Sequence, residues 1–590
     1  METRPTDNNR TSADCSTNGR PSTDDNGAEH AATCLIDASG RRRSEIMGTQ
    51  EADRFGYLIK GWQRKMRMTN GALEQRPRYL KDGKKYFERR GLSGPKPHFI
   101  WGNFPKALSG QMHVEMQRWT AEYGKNYGMF HGSKPVLVTS DLAVINDVFQ
   151  KQFNSFHSRY KHPLAPNPDT VKEMHMFGAR GLRWKRLRTI ANPTFSVAKI
   201  KEMMPIFTDS INTLVGNLKR HAESNKPFDI YPYYKYLTGD VIARCALGQE
   251  SSIQDESNDW VRMFNEGLGT EFCFKNMPVA FLAWTFPELK QFWRIVQQVK
   301  DALRVYIFRN TRLNSIREFL AKLRADVEMR QLQKDENHGK KDFIQLFVEA
   351  QTEEPLEKEV TEVTDGKLLM QQLKISKKLT TGEIVQQCLL FMLAGYDTTA
   401  NSLSYITYLL AKHQDVQDKL ISEIDAYCPD EADVTYETLH EMTYLNLVVK
   451  EGLRLFPLAA FVQSRQAVAD CEVGGIPVQK GTGIMIDVWS VHRNREVWGA
   501  DAEDFRPERF ESDEDEGRPS LAYIPFGVGP RMCIGMRFAL LEEKMAIVRL
   551  LQNFRFVATD ATKLDMKLSD PGTVSPDEVI VRLEPRQRSN

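Results

Sequence analysis

The stretch Phe526–Gly535, FGVGPRMCIG, holds a single cysteine inside a loop punctuated by Gly527, Gly529 and Gly535. Glycine permits backbone angles closed to other residues, so such a loop can bring Cys533 up against something flat while Phe526 covers the same region. The run that follows, MRFALLEEKMAIVRLLQNF, has helical periodicity. Cys533 therefore stands just before a helix N-terminus, where unpaired N–H groups favour a thiolate. A thiolate so placed is a candidate ligand for iron. Burial in a β-turn is the commoner fate of a lone cysteine, but the joint pattern of Phe526, Gly529, Arg531, Cys533 and Gly535 sets this one apart.

Bulk properties leave that reading open and close others. The formal charge of +2 marks no nucleic-acid binder. The eight cysteines, at 15, 34, 245, 273, 388, 428, 471 and 533, form no pairs at zinc spacing and are too sparse for a disulfide scaffold over 590 residues. They fit a reducing compartment, and the other seven read as ordinary buried or surface thiols. Residues 1–55 are rich in Thr, Asn, Ser, Asp and Arg and are expected to be disordered, because they cannot bury enough apolar surface to offset ordering. Residues 56–90 read as a helical or linker segment, and Pro95 and Pro97 give a stiff start to a globular part over 91–585. No run of about 18 apolar residues occurs.

Beyond residue 110 helical patterns dominate, with shorter strand-like stretches at PVLVTS near Val136 and VGGIPVQKGTGIMID from Val473. Residues 325–378 are strongly charged and are expected to form a flexible, solvated connection, with DFIQLFVEAQ as a helical turn or two inside it. Thr380 and Glu383 have capping-box spacing at the start of a long helix carrying FMLAGYDTTANSLSY. Gly395 in that helix costs about 1 kcal/mol, which asks for a compensating reason. Glu451 and Arg454 in KEGLRLFP share one helical face, as do Trp184 and Arg188 in GLRWKRLRTIANPTF. The apolar stretch FKNMPVAFLAWTFPELK, residues 274–290, is too short to span a bilayer.

With these residues the chain resembles the cytochrome P450 family, the haem-thiolate monooxygenases, whose signature Phe-x-x-Gly-x-Arg-x-Cys-x-Gly is met at all five positions. The resemblance covers roughly residues 90–585. It implies a mainly α fold with small β-sheets in one large domain, holding haem b with Cys533 as the proximal iron ligand. It implies further that Trp184, Arg188, Arg465 and Arg531 reach the haem propionates, Arg465 through an alignment with a one-residue gap. Glu451, Arg454 and Arg509 become a buried structural triad. The helix is expected to be distorted at Ala394, Gly395, Asp397 and Thr398, opening a groove for dioxygen, with Asp397 and Thr398 directing protons. Leu393, Ala394, Leu458, Ala459, Ala460 and Phe461 would line the substrate pocket.

The implied reaction inserts one oxygen atom of O2 into a lipophilic substrate such as a xenobiotic, a steroid or a fatty-acid-like molecule. Electrons would come from NADPH through a separate NADPH–cytochrome P450 reductase, with cytochrome b5 assisting, since no G-x-G-x-x-G follows a strand. The stretches ERRGLSGPKPHFIWGN, AGYDTT and HRNREVWG look closest to the drug-metabolising and thromboxane-synthase-like branch. That branch implies the cytosolic face of the endoplasmic reticulum membrane. The apolar anchor of microsomal members is not seen at the N-terminus, so attachment is expected through Phe281, Leu282, Trp284 and Phe286, against core burial as the plain alternative. Two other functions are compatible with a haem thiolate: an isomerase of a lipid peroxide, which typically lacks the acid-threonine pair, and a non-catalytic haem or lipid-binding sensor, which needs no reductase.

Overall fold

The longest helix begins where the Thr380/Glu383 spacing predicts. Glu383 N–H donates to Thr380 Oγ1 at 3.1 Å and Thr380 N–H donates to Glu383 Oε2 at 3.3 Å, a reciprocal capping box. The computed structural model describes residues 85–98, 101–103, 111–250, 252–254, 278–306, 311–333, 342–349, 356–364, 367–375, 378–459, 462–511, 515–569 and 573–586. The expectations for residues 1–55 and 56–84, and those for Ala460 and Phe461, lie outside them. All described residues belong to one compact unit, Gln75–Asn590.

In chain order the helices that matter for the site are α1 (Met112–Tyr123), α2 (Gly181–Ala191), α3 (Val197–Ser224), α4 (Tyr231–Leu247), α5 (Pro278–Thr285), α6 (Lys290–Tyr306), α7 (Thr311–Leu332), α8 (Phe343–Glu349), α9 (Thr381–Lys412), α10 (Thr443–Leu455) and α11 (Met536–Asn553). From Thr399 to Ala411 every residue of α9 is buried, so this helix is core on all sides. It packs on α4, α10 and α11. Phe195 and Phe343 meet Phe538 of α11, and both also meet Phe391, in a mostly edge-to-face cluster with centroids 5.1–6.5 Å apart. The small sheet expected near Val136 is present. Strands β1 (Asn126–His131) and β2 (Lys134–Thr139) form a hairpin, and a four-stranded sheet in the order β1-β2-β6-β5 adds β5 (Ser464–Gln466) and β6 (Gly483–Ile486). Strand β2 is parallel to β6, with Val136 opposite Gly483, and β5 is antiparallel to β6, with Arg465 opposite Ile484.

Two expectations are corrected. The charged stretch 325–378 is not an unstructured connection: α7 continues to Leu332, and β3 (Leu356–Thr364) pairs antiparallel with β4 (Lys367–Ile375). Its charges partly satisfy one another, since Arg330 Nη1 lies 2.6 Å from both oxygens of Asp342 and its Nη2 reaches the Leu247 carbonyl. The helical turns of DFIQLFVEAQ are α8, whose Phe343, Ile344, Phe347 and Val348 are buried. The second correction concerns Trp284, which does not face outward. Its ring is buried among His131, Tyr160 and His162 at 5.1–5.3 Å, seated on the β1–β2 turn, where a Cβ at Gly132 would stand 2.3 Å from the Trp284 carbonyl oxygen. Leu282 and Phe286 are half-buried. Among the described residues no helix is long and apolar enough to cross a membrane.

Candidate functional site

Two of the three loop glycines do what the sequence requires of them. Gly527 and Gly529 have φ of +77° and +74°, and a Cβ at Gly529 would lie 2.0 Å from the Phe149 carbonyl oxygen. Gly535 differs. Its φ of −87° is open to any residue and a Cβ there would make an ordinary 3.7 Å contact with Phe195 Cε1. Gly535 is instead the residue that caps α11, and its N–H points at the sulfur of Cys533. The loop is closed by Cys533 N–H donating to the Phe526 carbonyl at 2.9 Å, while the half-buried Phe526 ring packs on the main core.

Cys533 is exposed to a solvent-sized probe, yet burial raises its thiol pKa, against the Gly535 N–H and the charges of Arg188 and Arg159, which lower it. The side chain is thus accessible and yet closely surrounded by protein atoms that restrict water. Desolvation and these lowering influences act in opposite directions on the thiol, and a bound cation would favour the thiolate. Of the other described cysteines, Cys245, Cys388 and Cys428 are buried and Cys471 half-buried, as ordinary thiols are.

Four arginines on four segments form a cluster beside the cysteine loop, and two of them, Arg159 and Arg188, act on the sulfur. Arg531 is 5% exposed and Arg465 2% exposed. Arg531 lies over the Trp184 ring at 4.7 Å, Arg465 over Phe149 at 4.4 Å and Arg159 over Phe177 at 4.1 Å. Arg188 Nη1 donates to the Met532 carbonyl at 3.0 Å. Burial pulls Arg531 down to about 8, with Arg159 and Arg188 adding to the shift, and pulls Arg159 down to about 10; Arg465 is lowered well below the usual range by burial and by Arg159 and Arg531. Among the described residues no carboxylate pairs with any of the four, and Nε of Arg159, Arg465 and Arg531 has no hydrogen-bond partner. Trp184 and Arg188, which share a face of α2, divide their work: the indole stacks under Arg531 and the guanidinium braces the cysteine loop. Arg465 sits in the cluster, as the gapped alignment places it. Arg159 escapes sequence reading because it is a lone cation in an unpatterned loop.

On α9 the turn Ala394–Thr398 is regular α-helix, so the expected distortion is not present as a break; Thr398 Oγ1 donates to the Ala394 carbonyl at 2.6 Å. Ala394 is exposed although it lies mid-helix between buried Met392 and Tyr396, and Leu393 is half-buried. Gly395 has a packing reason: a Cβ there would be 3.0 Å from Ile242 Cδ1 of α4, and one turn away Tyr396 stacks on Gly239 while its carbonyl accepts from Thr238 Oγ1 at 2.6 Å. Asp397 points to Lys235 of α4, whose Nζ is 3.6 Å from an Oδ1 that has no hydrogen bond. Leu458 and Ala459, both half-buried, are tied to α9 through Val574, another residue without a sequence signal. Val574 N–H donates to the Leu458 carbonyl at 2.8 Å, and the Val574 carbonyl accepts from Asn401 Nδ2 at 3.2 Å and from Tyr405 Oη at 2.9 Å.

Glu451, Arg454 and Arg509 form a triad essentially free of solvent. Arg454 Nε and Nη2 reach the two Glu451 oxygens at 2.6 and 2.8 Å, and Arg509 Nε reaches Oε1 at 3.0 Å. Every remaining guanidinium edge finds a carbonyl or Asp501, including His492 O, Ala502 O and Trp498 O. A buried ion group is tolerable only when satisfied in this way.

The family model described as Cytochrome P450 matches residues 92–581. The chain belongs to the cytochrome P450 family. Among its relatives are three Caenorhabditis elegans chains named only provisionally as cytochromes P450: CYP13A8 and CYP13A2, each 35% identical, and CYP13A7, 36% identical. The matches cover 85% of this chain and 95–96% of each relative. The family binds haem, and the arginine cluster fits such a group: buried Arg465 and Arg531 with half-buried Arg159 and Arg188, lacking a carboxylate partner among the described residues, suit the anions that two propionates supply.

Proposed function

We propose that this P450 holds haem b with Cys533 as the proximal iron ligand and inserts one oxygen atom of O2 into a lipophilic substrate, with electrons from NADPH arriving through a separate flavoprotein reductase. The observation that carries this reading is Cys533 itself, accessible yet desolvated, with Arg159 and Arg188 acting on its sulfur and joined by Arg465 and Arg531 in a cluster that among the described residues has no carboxylate partner. When bound, the haem supplies the activation of dioxygen, which a thiolate ligand promotes.

The chain supplies the rest. Arg159, Arg465 and Arg531 take the propionates, with Trp184 and Phe149 stacked on two of them. Arg188 and the Gly535 N–H stabilise negative charge on the sulfur. The Thr398 hydroxyl would supply a proton in the haem-loaded protein, and Asp397 would replenish it from solvent, with Lys235 holding the carboxylate in place. Leu393, Ala394, Leu458 and Ala459 line the substrate space, and the small Ala394 leaves room for a bulky lipophile of the kind accepted by the drug-metabolising branch. The reductase, with cytochrome b5, docks on the Cys533 side. Half-buried Leu282 and Phe286 rest on the endoplasmic reticulum membrane, a role that Trp284 does not share.

The test is Cys533→Ala. The parent protein, reduced and exposed to carbon monoxide, should give the thiolate-type absorption band, and the variant should not; an unchanged band overturns the ligand assignment. Reductase-dependent NADPH consumption coupled to an oxygenated product separates this reading from an isomerase or a sensor.

A further inference from the structure

The cysteine loop is anchored to the distant triad by a side chain that the proposed chemistry does not use. His492 is fully buried, its carbonyl accepts from Arg454 Nη1 at 2.9 Å, and its Nδ1 lies 3.2 Å from the Arg454 carbonyl. Its Nε2 lies 2.9 Å from the Ile524 N–H. A backbone N–H can only donate, so Nε2 is the acceptor and the ring proton is on Nδ1, given to the Arg454 carbonyl. Burial and the Arg454 charge hold this imidazole neutral, down at about 3, so the tautomer persists at neutral pH. The other side of Ile524 is held as well: its carbonyl accepts from Gln463 Nε2 at 2.9 Å and from the Gly527 N–H at 3.0 Å. Gln463 is buried and lies two residues before Arg465. Ile524 in turn precedes Phe526, whose carbonyl takes the Cys533 N–H.

We propose that His492 and Gln463 are positioning residues for the thiolate: they hold the N–H and the carbonyl on either side of Ile524, so that the rigid triad and the start of strand β5 together set where Cys533 presents its sulfur. The inference rests on Cys533 as the iron ligand. Loss of the His492 bond leaves a buried backbone N–H unpaired, a defect that the loop relieves by shifting. Such a shift changes sulfur–iron alignment rather than global packing.

Asparagine and glutamine separate this role from mere filling of space, because the amide of Asn stands near where Nδ1 was and that of Gln near Nε2. His492→Gln keeps an acceptor for the Ile524 N–H; His492→Asn keeps only the donor to Arg454. With haem-loaded full-length protein and carbon monoxide as probe, His492→Gln should retain the parent's thiolate-type band and reduction potential. His492→Asn should convert at least half of the complex to the form lacking the thiolate signature and raise the potential. Gln463→Met, which leaves the Gly527 bond to the Ile524 carbonyl, should shift the potential in the same direction by less. If Asn and Gln variants behave alike, or Gln463→Met leaves the potential unmoved while haem content is intact, the clamp is refuted. A parent protein with no thiolate-type band would overturn the ligand assignment and the clamp with it. Should either His492 variant fail to fold, Gln463→Met alone decides.

Discussion

Asp397 and Thr398 are adjacent in sequence but do different things in the fold. Thr398 is bonded back to its own helix at the Ala394 carbonyl, whereas Asp397 reaches across to Lys235 on α4. The AGYDTT motif makes the two residues legible in sequence; Lys235 is not, because nothing local to α4 signals a partner on α9. The pairing predicts distinct variants. Asp397→Asn removes the charge that relays protons and should lower product formation by about 10²–10⁴, with haem content intact. Thr398→Ala should keep NADPH consumption while product per NADPH falls and hydrogen peroxide rises. Lys235→Met leaves the acid in place but unheld, so turnover should fall by less than in Asp397→Asn. Retention of the parent ratio and turnover in both Asp397→Asn and Thr398→Ala would move the proton route elsewhere.

At the scale of elements, the loop and the helix behind it were legible to different degrees. The glycine pattern marks the loop, and φ bears it out at Gly529, where alanine would combine left-handed strain of ~1–3 kcal/mol with a clash against Phe149 O. Gly529→Ala should therefore lose stability in chemical denaturation far more than Gly535→Ala, whose backbone angle is ordinary. What no periodicity reveals is the acid pair Glu542 and Glu543, each 2% exposed on α11. A charged residue in a helical pattern is ordinarily a solvated one; here the helix is surrounded, and that depends on tertiary packing alone. Glu543 accepts from Ser402 Oγ of α9, and burial pushes it up to about 7. The unfolded carboxyl ionises near its usual 4.5 while the folded one still holds its proton. Stability is therefore lost as pH rises from 4.5 through 7, by roughly 3 kcal/mol for a shift of this size. Glu543→Gln keeps an acceptor for Ser402 and removes the titration, so its advantage over the parent in urea denaturation should be larger at pH 8 than at pH 5. An equal advantage at both pH values would show that Glu543 ionises normally in the fold.

Across the whole molecule desolvated histidines impose the opposite dependence at lower pH. The fold class, the placement of the loop before α11 and the triad were readable because each has a local pattern; the arginine cluster around Cys533 draws on four segments, and only the folded chain assembles it. The same assembly desolvates histidines far apart in sequence, half-burying His131 and His175 and fully burying His492. Burial lowers His131 and His175 to about 4, and burial together with Arg454 lowers His492 to about 3. In each case the unfolded imidazole takes up a proton near 6.5 while the folded one refuses it. Stability is therefore complete above 6.5 and is lost as pH falls toward the folded values. At pH 5 each such group costs about 2 kcal/mol, and the three together approach the ~5–15 kcal/mol that holds a domain folded. Glu543 opposes them, as do Glu542, Asp229 and Asp487, which burial also raises, while His157, lowered to about 4, adds to the histidines' side. The histidines' contribution to stability should thus be lost between pH 6.5 and 5, before His131, His175 or His492 titrates in the folded protein. His175→Asn preserves an acceptor for the Gly178 N–H, bonded to Nδ1 at 3.1 Å, and takes no proton. It should narrow the gap between the pH 7 and pH 5 stabilities by about 2 kcal/mol. If the gap is unchanged, His175 is protonated in the folded protein and the acid sensitivity resides in other groups.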